Sequence, residues 1–111
     1  MLKKKFGPAI AGVTAGLHHS AIRIQFVLGF LAVLAGLVLR ISSGEWIAVV
    51  LCIGMVICAE MLNTCIEFLC NFLTTSRNEE IRIIKDLAAG AVLIASAAAL
   101  VTALIILSRH I

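Results

Sequence analysis

Three stretches of the chain, residues 24–39, 46–67 and 87–107, are almost wholly apolar, and they constrain the fold more than any other feature. A helix crossing a bilayer needs roughly 20 such residues. Composition points the same way. Of 111 residues, 62% are apolar and only 14% charged, with a mean hydropathy of +1.15. A soluble domain carries about 45–50% apolar and about 25% charged residues, so this chain has too little polar surface to cover a globule in water. Composition argues against a disordered chain, a disulfide-rich secreted domain and a nucleic-acid binder. The expectation is an all-α membrane protein of one domain, residues 1–111, with three transmembrane helices.

Ahead of the first span, residues 4–22 read as an amphipathic surface helix. Phe6, Ile10, Val13, Leu17 and Ile22 recur at helical spacing, with Lys3, Lys4, Lys5 and Arg23 near the ends. That pattern suits a helix lying in the headgroup plane. The short apolar stretch behind the lysines, interrupted by Gly7, Pro8, Gly12 and Gly16, is a weak signal peptide. The span 24–39 rises only about 24 Å, so Arg23 and Arg40 are expected to snorkel outward. A tight turn follows, with Ser43 as helix cap. The second helix is expected over 45–73, with Trp46 at one interface and Glu67 near the other. Residues 74–80 read as a polar loop. Lys85 and Asp86 stand at the entrance of the third span. The alanine-rich run 88–99 suits close helix packing.

Basic residues set the orientation. Lys3, Lys4, Lys5, Arg23, Arg77, Arg82 and Lys85 fall on one side, and Arg40 and Arg109 on the other. The positive-inside bias places the N-terminus in the cytoplasm and the C-terminus outside. The four cysteines, Cys52, Cys58, Cys65 and Cys70, all lie in the second apolar helix, without a Cys-x-x-Cys pair. They read as small packing residues.

The chemistry concentrates in that same helix. Glu60, Asn63, Thr64 and Glu67 stand at i, i+3, i+4 and i+7, and Asn71 extends this polar stripe by a turn. Glu60 lies about 10 Å deeper than Glu67. Carboxylates inside a membrane helix are costly, so two on one stripe point to function rather than packing. Carboxylates serve as a general base and as ligands for Mg²⁺, which is often held by one or two of them plus phosphates. Lys85, expected at the same depth as Glu67, is a point charge suited to phosphate. These are the parts of a phosphoryl-transfer site for ATP, although no Gly-rich phosphate loop or soluble kinase signature is present.

The pattern Glu60-x-x-Asn63-Thr64-x-Ile66-Glu67, followed by Lys85-Asp86-x-Ala88-Ala89-Gly90-Ala91-Val92, resembles the prokaryotic diacylglycerol kinase family, which includes the undecaprenol kinases. The resemblance runs over nearly the whole chain, and the Ala-Ala-Gly-Ala-Val run looks most like the undecaprenol kinase branch. It implies a homotrimer in the bacterial inner membrane, with active sites shared between subunits. It implies transfer of the ATP γ-phosphate to a lipid alcohol, undecaprenol or diacylglycerol. Position by position, Glu60 matches the catalytic base and Glu67 a metal-ligating carboxylate. Asn63 matches a polar motif residue, Lys85 a phosphate-binding lysine, Asp86 its acidic neighbour and Arg23 the family's arginine. Two positions depart: His19 stands where a metal-binding glutamate is usual, and Asn71 where an aspartate is usual. An imidazole at His19 would favour Mn²⁺ over Mg²⁺. Two rival readings remain: a non-catalytic or divergent homologue, given His19 and Asn71, and a small multidrug-type transporter, which would need four spans.

Overall fold

The computed structural model describes residues 2–73 and 78–111, all helical apart from short connections. The described residues form α1 (Leu2–Gly16), α2 (Ser20–Leu39), α3 (Ser43–Leu73) and α4 (Glu79–His110). Three of these, α2, α3 and α4, are long and apolar enough to cross a membrane. The chain is inside out by the standards of a soluble protein. Phe30, Leu93 and Ile94 are 63%, 70% and 73% exposed. The buried apolar side chains are few: Ile22, Ile41, Val56, Cys70, Ala88 and Ile106. Apolar surface on this scale needs lipid or neighbouring helices around it. The chain is a multipass membrane protein.

Several boundaries differ from those the sequence suggests. The single surface helix expected over 4–22 is two helices. Leu17 N–H is shared between the Val13 and Thr14 carbonyls, and His18 and His19 donate to Ala15 and Gly16. These tighter bonds end α1, and His19 is extended (φ −100°, ψ 127°) as the N-cap of α2. Ile22 folds beneath the break: a Cβ at Gly16 would stand 3.5 Å from Ile22 Cδ1 and 3.6 Å from Met61 Cε. The N-terminus of α2 is thereby pressed onto α3 one residue from Glu60. Starting at Ser20, α2 has 20 residues and a length of about 30 Å, so it matches the hydrocarbon core without the expected shortfall. Arg23 consequently lies in its first turn.

The turn between α2 and α3 holds one end of the bundle. Arg40 takes the left-handed conformation (φ 55°, ψ 53°) and returns its N–H to the Gly36 carbonyl. The N-cap of α3 is Ser42, one residue before the expected Ser43. Its Oγ accepts from Glu45 N–H (3.3 Å), and its own N–H donates to Glu45 Oε1 (2.8 Å), a reciprocal capping box. Glu45 is buried and also accepts from His110 Nε2 at 3.0 and 3.1 Å, with Arg109 Nη1 at 3.6 Å. The start of α3 is thus clasped to the end of α4, with charges that suit both helix termini.

At the other end, α4 begins at Glu79, well before the apolar run and inside the expected loop. Asn78 caps it, accepting from the Glu80 and Ile81 N–H groups (2.9 and 3.2 Å). Arg82 pairs with Glu79 and Asp86 at helical spacing. Lys85 and Asp86 therefore lie inside the helix rather than at its entrance. The remainder of the expected loop, residues 74–77 including Arg77, lies outside the described residues, as does the Lys3 side chain. The closest packing between elements is that of α3 on α4, with α2 on the other flank of α3.

Gly36 sets the α2–α3 spacing, because a Cβ there would fall 2.8 Å from Trp46 Cη2 and 3.0 Å from Ile41 Cδ1. Overpacking costs about 1–3 kcal/mol, against a gain of roughly 1 kcal/mol in helix propensity. Gly36→Ala should lower the unfolding midpoint in detergent micelles, whereas Gly44→Ala, with open space at its Cβ, should not.

Candidate functional site

The polar stripe on α3 meets the start of α2 on one side and the early turns of α4 on the other. A cavity of about 240 Å³ is lined by His19, Ser20 and Ala21 from the start of α2 and by Thr64, Glu67, Phe68 and Asn71 from α3. The helix break at residues 17–19 places His19 here. Its ring meets the edge of Phe68, with centroids 5.1 Å apart and planes at 67°. From α4, Lys85 Nζ reaches across and donates to Asn71 Oδ1 at 2.7 Å. Further along α3, Asn63 Nδ2 donates to Glu67 Oε1 at 3.2 Å.

Five of the residues singled out in the sequence, His19, Glu67, Asn71, Lys85 and Asn63, therefore join in one connected group. Glu60 lies on the same helical face, two turns from Glu67, and is only 8% exposed. It makes no ion pair among the described residues. Asp86 and Arg23 stand apart. Asp86 accepts from Arg82 Nη1 at 3.3 Å and faces a different groove, one lined by Arg82, Leu87 and Gly90. Successive helical residues point about 100° apart, so Lys85 and Asp86 cannot both face α3. Arg23 is exposed in the first turn of α2.

Thr64, part of the polar stripe in the sequence, and Phe68, which the sequence does not single out, complete the cavity. Their signal was present: 64, 67, 68 and 71 trace one face of a helix. Ser20 and Ala21 carried no such signal, because their position depends on the break before α2.

Asn63 has a second connection. Its Oδ1 is buried with no hydrogen-bond partner. The same side chain lines an apolar groove of about 600 Å³ between α3 and α4, whose walls include Gly54, Met55, Cys58, Leu62, Ala88, Ala91 and Ala95. Small residues on both helices keep this groove open. Asn63 thus links the two spaces: it lines the apolar groove and donates to Glu67, which lines the polar cavity. The four cysteines are all free thiols; Cys70 is buried, whereas Cys58 and Cys65 are exposed.

The donor set fits a divalent metal in part. Glu67 and His19 line one cavity, but no cluster of three His, Cys, Asp or Glu side chains forms among the described residues. Two protein donors suffice for a metal that takes further oxygens from a bound phosphate.

A bundle of three apolar helices with one buried carboxylate, Glu60, and further along α3 a polar group of Glu67, His19, Asn71 and Lys85 defines a membrane protein built for polar chemistry at the edge of the lipid. Comparison with known families makes this specific. Residues 7–107 match the family model described as Prokaryotic diacylglycerol kinase, and the chain belongs to that family. The family is one of kinases, which sets aside the transporter reading. No curated protein sequence matches the chain significantly.

Proposed function

We propose that the chain is an integral membrane lipid kinase that transfers the γ-phosphate of ATP to the hydroxyl of a lipid alcohol, undecaprenol or diacylglycerol. The observation that carries this reading is the Asn63–Glu67 hydrogen bond, which connects an apolar groove lined by Asn63 to a polar cavity lined by Glu67, His19 and Asn71. A nucleotide and a lipid tail need such opposite surroundings within reach of one reacting oxygen. The run Ala88-Ala89-Gly90-Ala91-Val92, whose Ala88 and Ala91 line the groove, supports undecaprenol as the acceptor.

In this reading Glu60 is the base. Its carboxylate takes the proton from the lipid hydroxyl as the new O–P bond forms and the bond to the β-phosphate oxygen breaks, releasing ADP. Lys85 binds phosphate oxygens, and Asn63 orients Glu67, to which its Nδ2 donates. Asp86 keeps Arg82 at the same level, and Arg23 lies near headgroups. Mg²⁺, or Mn²⁺, bound by Glu67 and His19 would neutralise phosphate charge. The subunit assembles as a homotrimer, so that a neighbour adds to a site open on one side. Helix α1 lies on the cytoplasmic face of the inner membrane, and the C-terminus lies outside.

Glu60→Gln should lower lipid phosphorylation by about 10²–10⁴-fold, while native mass spectrometry in micelles still shows the trimer and nucleotide still binds. Wild-type turnover in the variant would remove Glu60 from the mechanism. For the metal, activity should favour Mn²⁺ over Mg²⁺, because imidazole suits the softer ion. His19→Glu should shift the Mg²⁺ titration to lower concentration; superimposable curves would place His19 outside the metal shell. In a cysteine-free background, Ser43→Cys should react with an impermeant reagent from outside the cell and Glu80→Cys only from inside. Reaction of both from one side contradicts the orientation.

A further inference from the structure

Of the two donors that line the polar cavity, Glu67 and His19, only Glu67 is held by a polar group. Asn63 Nδ2 donates to its Oε1 at 3.2 Å. The imidazole of His19 has no such support. As the N-cap of α2, its side chain takes none of that helix's N–H groups. Among the described residues it has no hydrogen-bond or ion-pair partner. A histidine that ligates a metal ordinarily donates its second ring N–H to a carboxylate or carbonyl, which fixes the ring. Here the contact that holds the ring is Phe68. The two centroids lie 5.1 Å apart with planes at 67°, the edge-to-face arrangement that aromatic rings favour.

Phe68 is not a core residue, being 58% exposed. It follows Glu67 on α3, and both line the cavity that His19 enters from the start of α2. A phenylalanine offers no donor to a metal or a phosphate, so its place in a polar cavity is explained by the ring it packs against. His19 needs that support, because it sits in extended backbone at the break between α1 and α2. An imidazole there would otherwise exchange among several rotamers, and binding a cation would have to order it.

We propose that Phe68 is a positioning residue, which holds the His19 imidazole in the cavity it shares with Glu67, so that the two donors together take the divalent cation of a nucleotide. This rests on the kinase reading and makes a claim of its own: Phe68 acts through the imidazole. It should therefore matter when residue 19 is histidine and lose its influence in a His19→Glu protein, where no ring remains to be held. A role in packing alone predicts the same effect of Phe68 in both backgrounds.

The test uses the full-length protein in detergent micelles, isotopically labelled at histidine nitrogen, with Mn²⁺ and a non-hydrolysable imido analogue of ATP. Pulsed EPR reads the coupling of histidine nitrogen to Mn²⁺, and loss of the free Mn²⁺ signal reads affinity. Wild type should show the coupling and His19→Ala should not. Phe68→Leu should weaken Mn²⁺ binding by about threefold to tenfold and lose most of the coupling, while Phe68→Tyr, which keeps the ring edge, should retain both. In the His19→Glu background, Phe68→Leu should change Mn²⁺ affinity by less than about twofold. All variants should unfold within a few degrees of wild type, because the Phe68 ring is exposed. Wild-type coupling and affinity in Phe68→Leu overturn the proposal, and so does an equal loss of affinity in both backgrounds. Bound Mn²⁺ without histidine coupling in wild type overturns it by removing His19 from the metal. Failure of wild type to bind the Mn²⁺–nucleotide pair at all would overturn the kinase reading, and the proposal with it.

Discussion

A carboxylate placed inside an apolar helix has to be supported by everything around it, because lipid solvates neither its charge nor its hydrogen bonds. Here Glu60 and Glu67 impose that demand on α3. Glu67 is met by Asn63 one turn away on the same helix. Glu60 is covered until only 8% of it is exposed. Near it, Gly16 at the end of α1 lies against Ile22 and Met61, and α4 packs along α3. The arrangement is built around a helix that would be unfavourable by itself.

What fixes α2 and α4 is mostly polar chemistry at the helix ends. Between α2 and α3 the left-handed Arg40, the Ser42–Glu45 capping box and the His110 contact hold one end of the bundle. At the other, Asn78 starts α4 early and Lys85 reaches Asn71. Within the membrane the helices rely on small residues, with Gly36 admitting Trp46 and Ala88, Ala91 and Ala95 leaving a groove along α3. The same economy of side chains that permits close packing leaves space where an apolar tail fits.

Much of this was legible in the sequence, for physical reasons. The spanning helices were visible because hydropathy acts over about 20 residues and needs no partner. The stripe from Glu60 to Asn71 was visible because helical periodicity places those residues on one face. Features set by a few hydrogen bonds were not read correctly. The break at Leu17–His19 falls in a run whose apolar spacing continues through it, so periodicity gave no warning. Ser42-x-x-Glu45 is a recognisable capping box, yet the adjacent Ser43 is an equally good cap by residue type. Asn78 was overlooked as a cap, which placed Lys85 and Asp86 at a helix entrance instead of inside a helix. Their neighbouring positions suggested a shared role, whereas the helix turns Lys85 to Asn71 and Asp86 to Arg82.

The most direct test of the account is whether phosphate moves from nucleotide to lipid. The purified protein in mixed micelles, given Mg·ATP labelled at the γ-phosphate and either undecaprenol or diacylglycerol, should yield labelled lipid phosphate with at least one acceptor. Label should appear only when the alcohol is present, and ADP should form in equal amount. A folded protein that binds ATP yet labels neither lipid, with Mg²⁺ or with Mn²⁺, would contradict the central claim and leave the divergent, non-catalytic reading in its place.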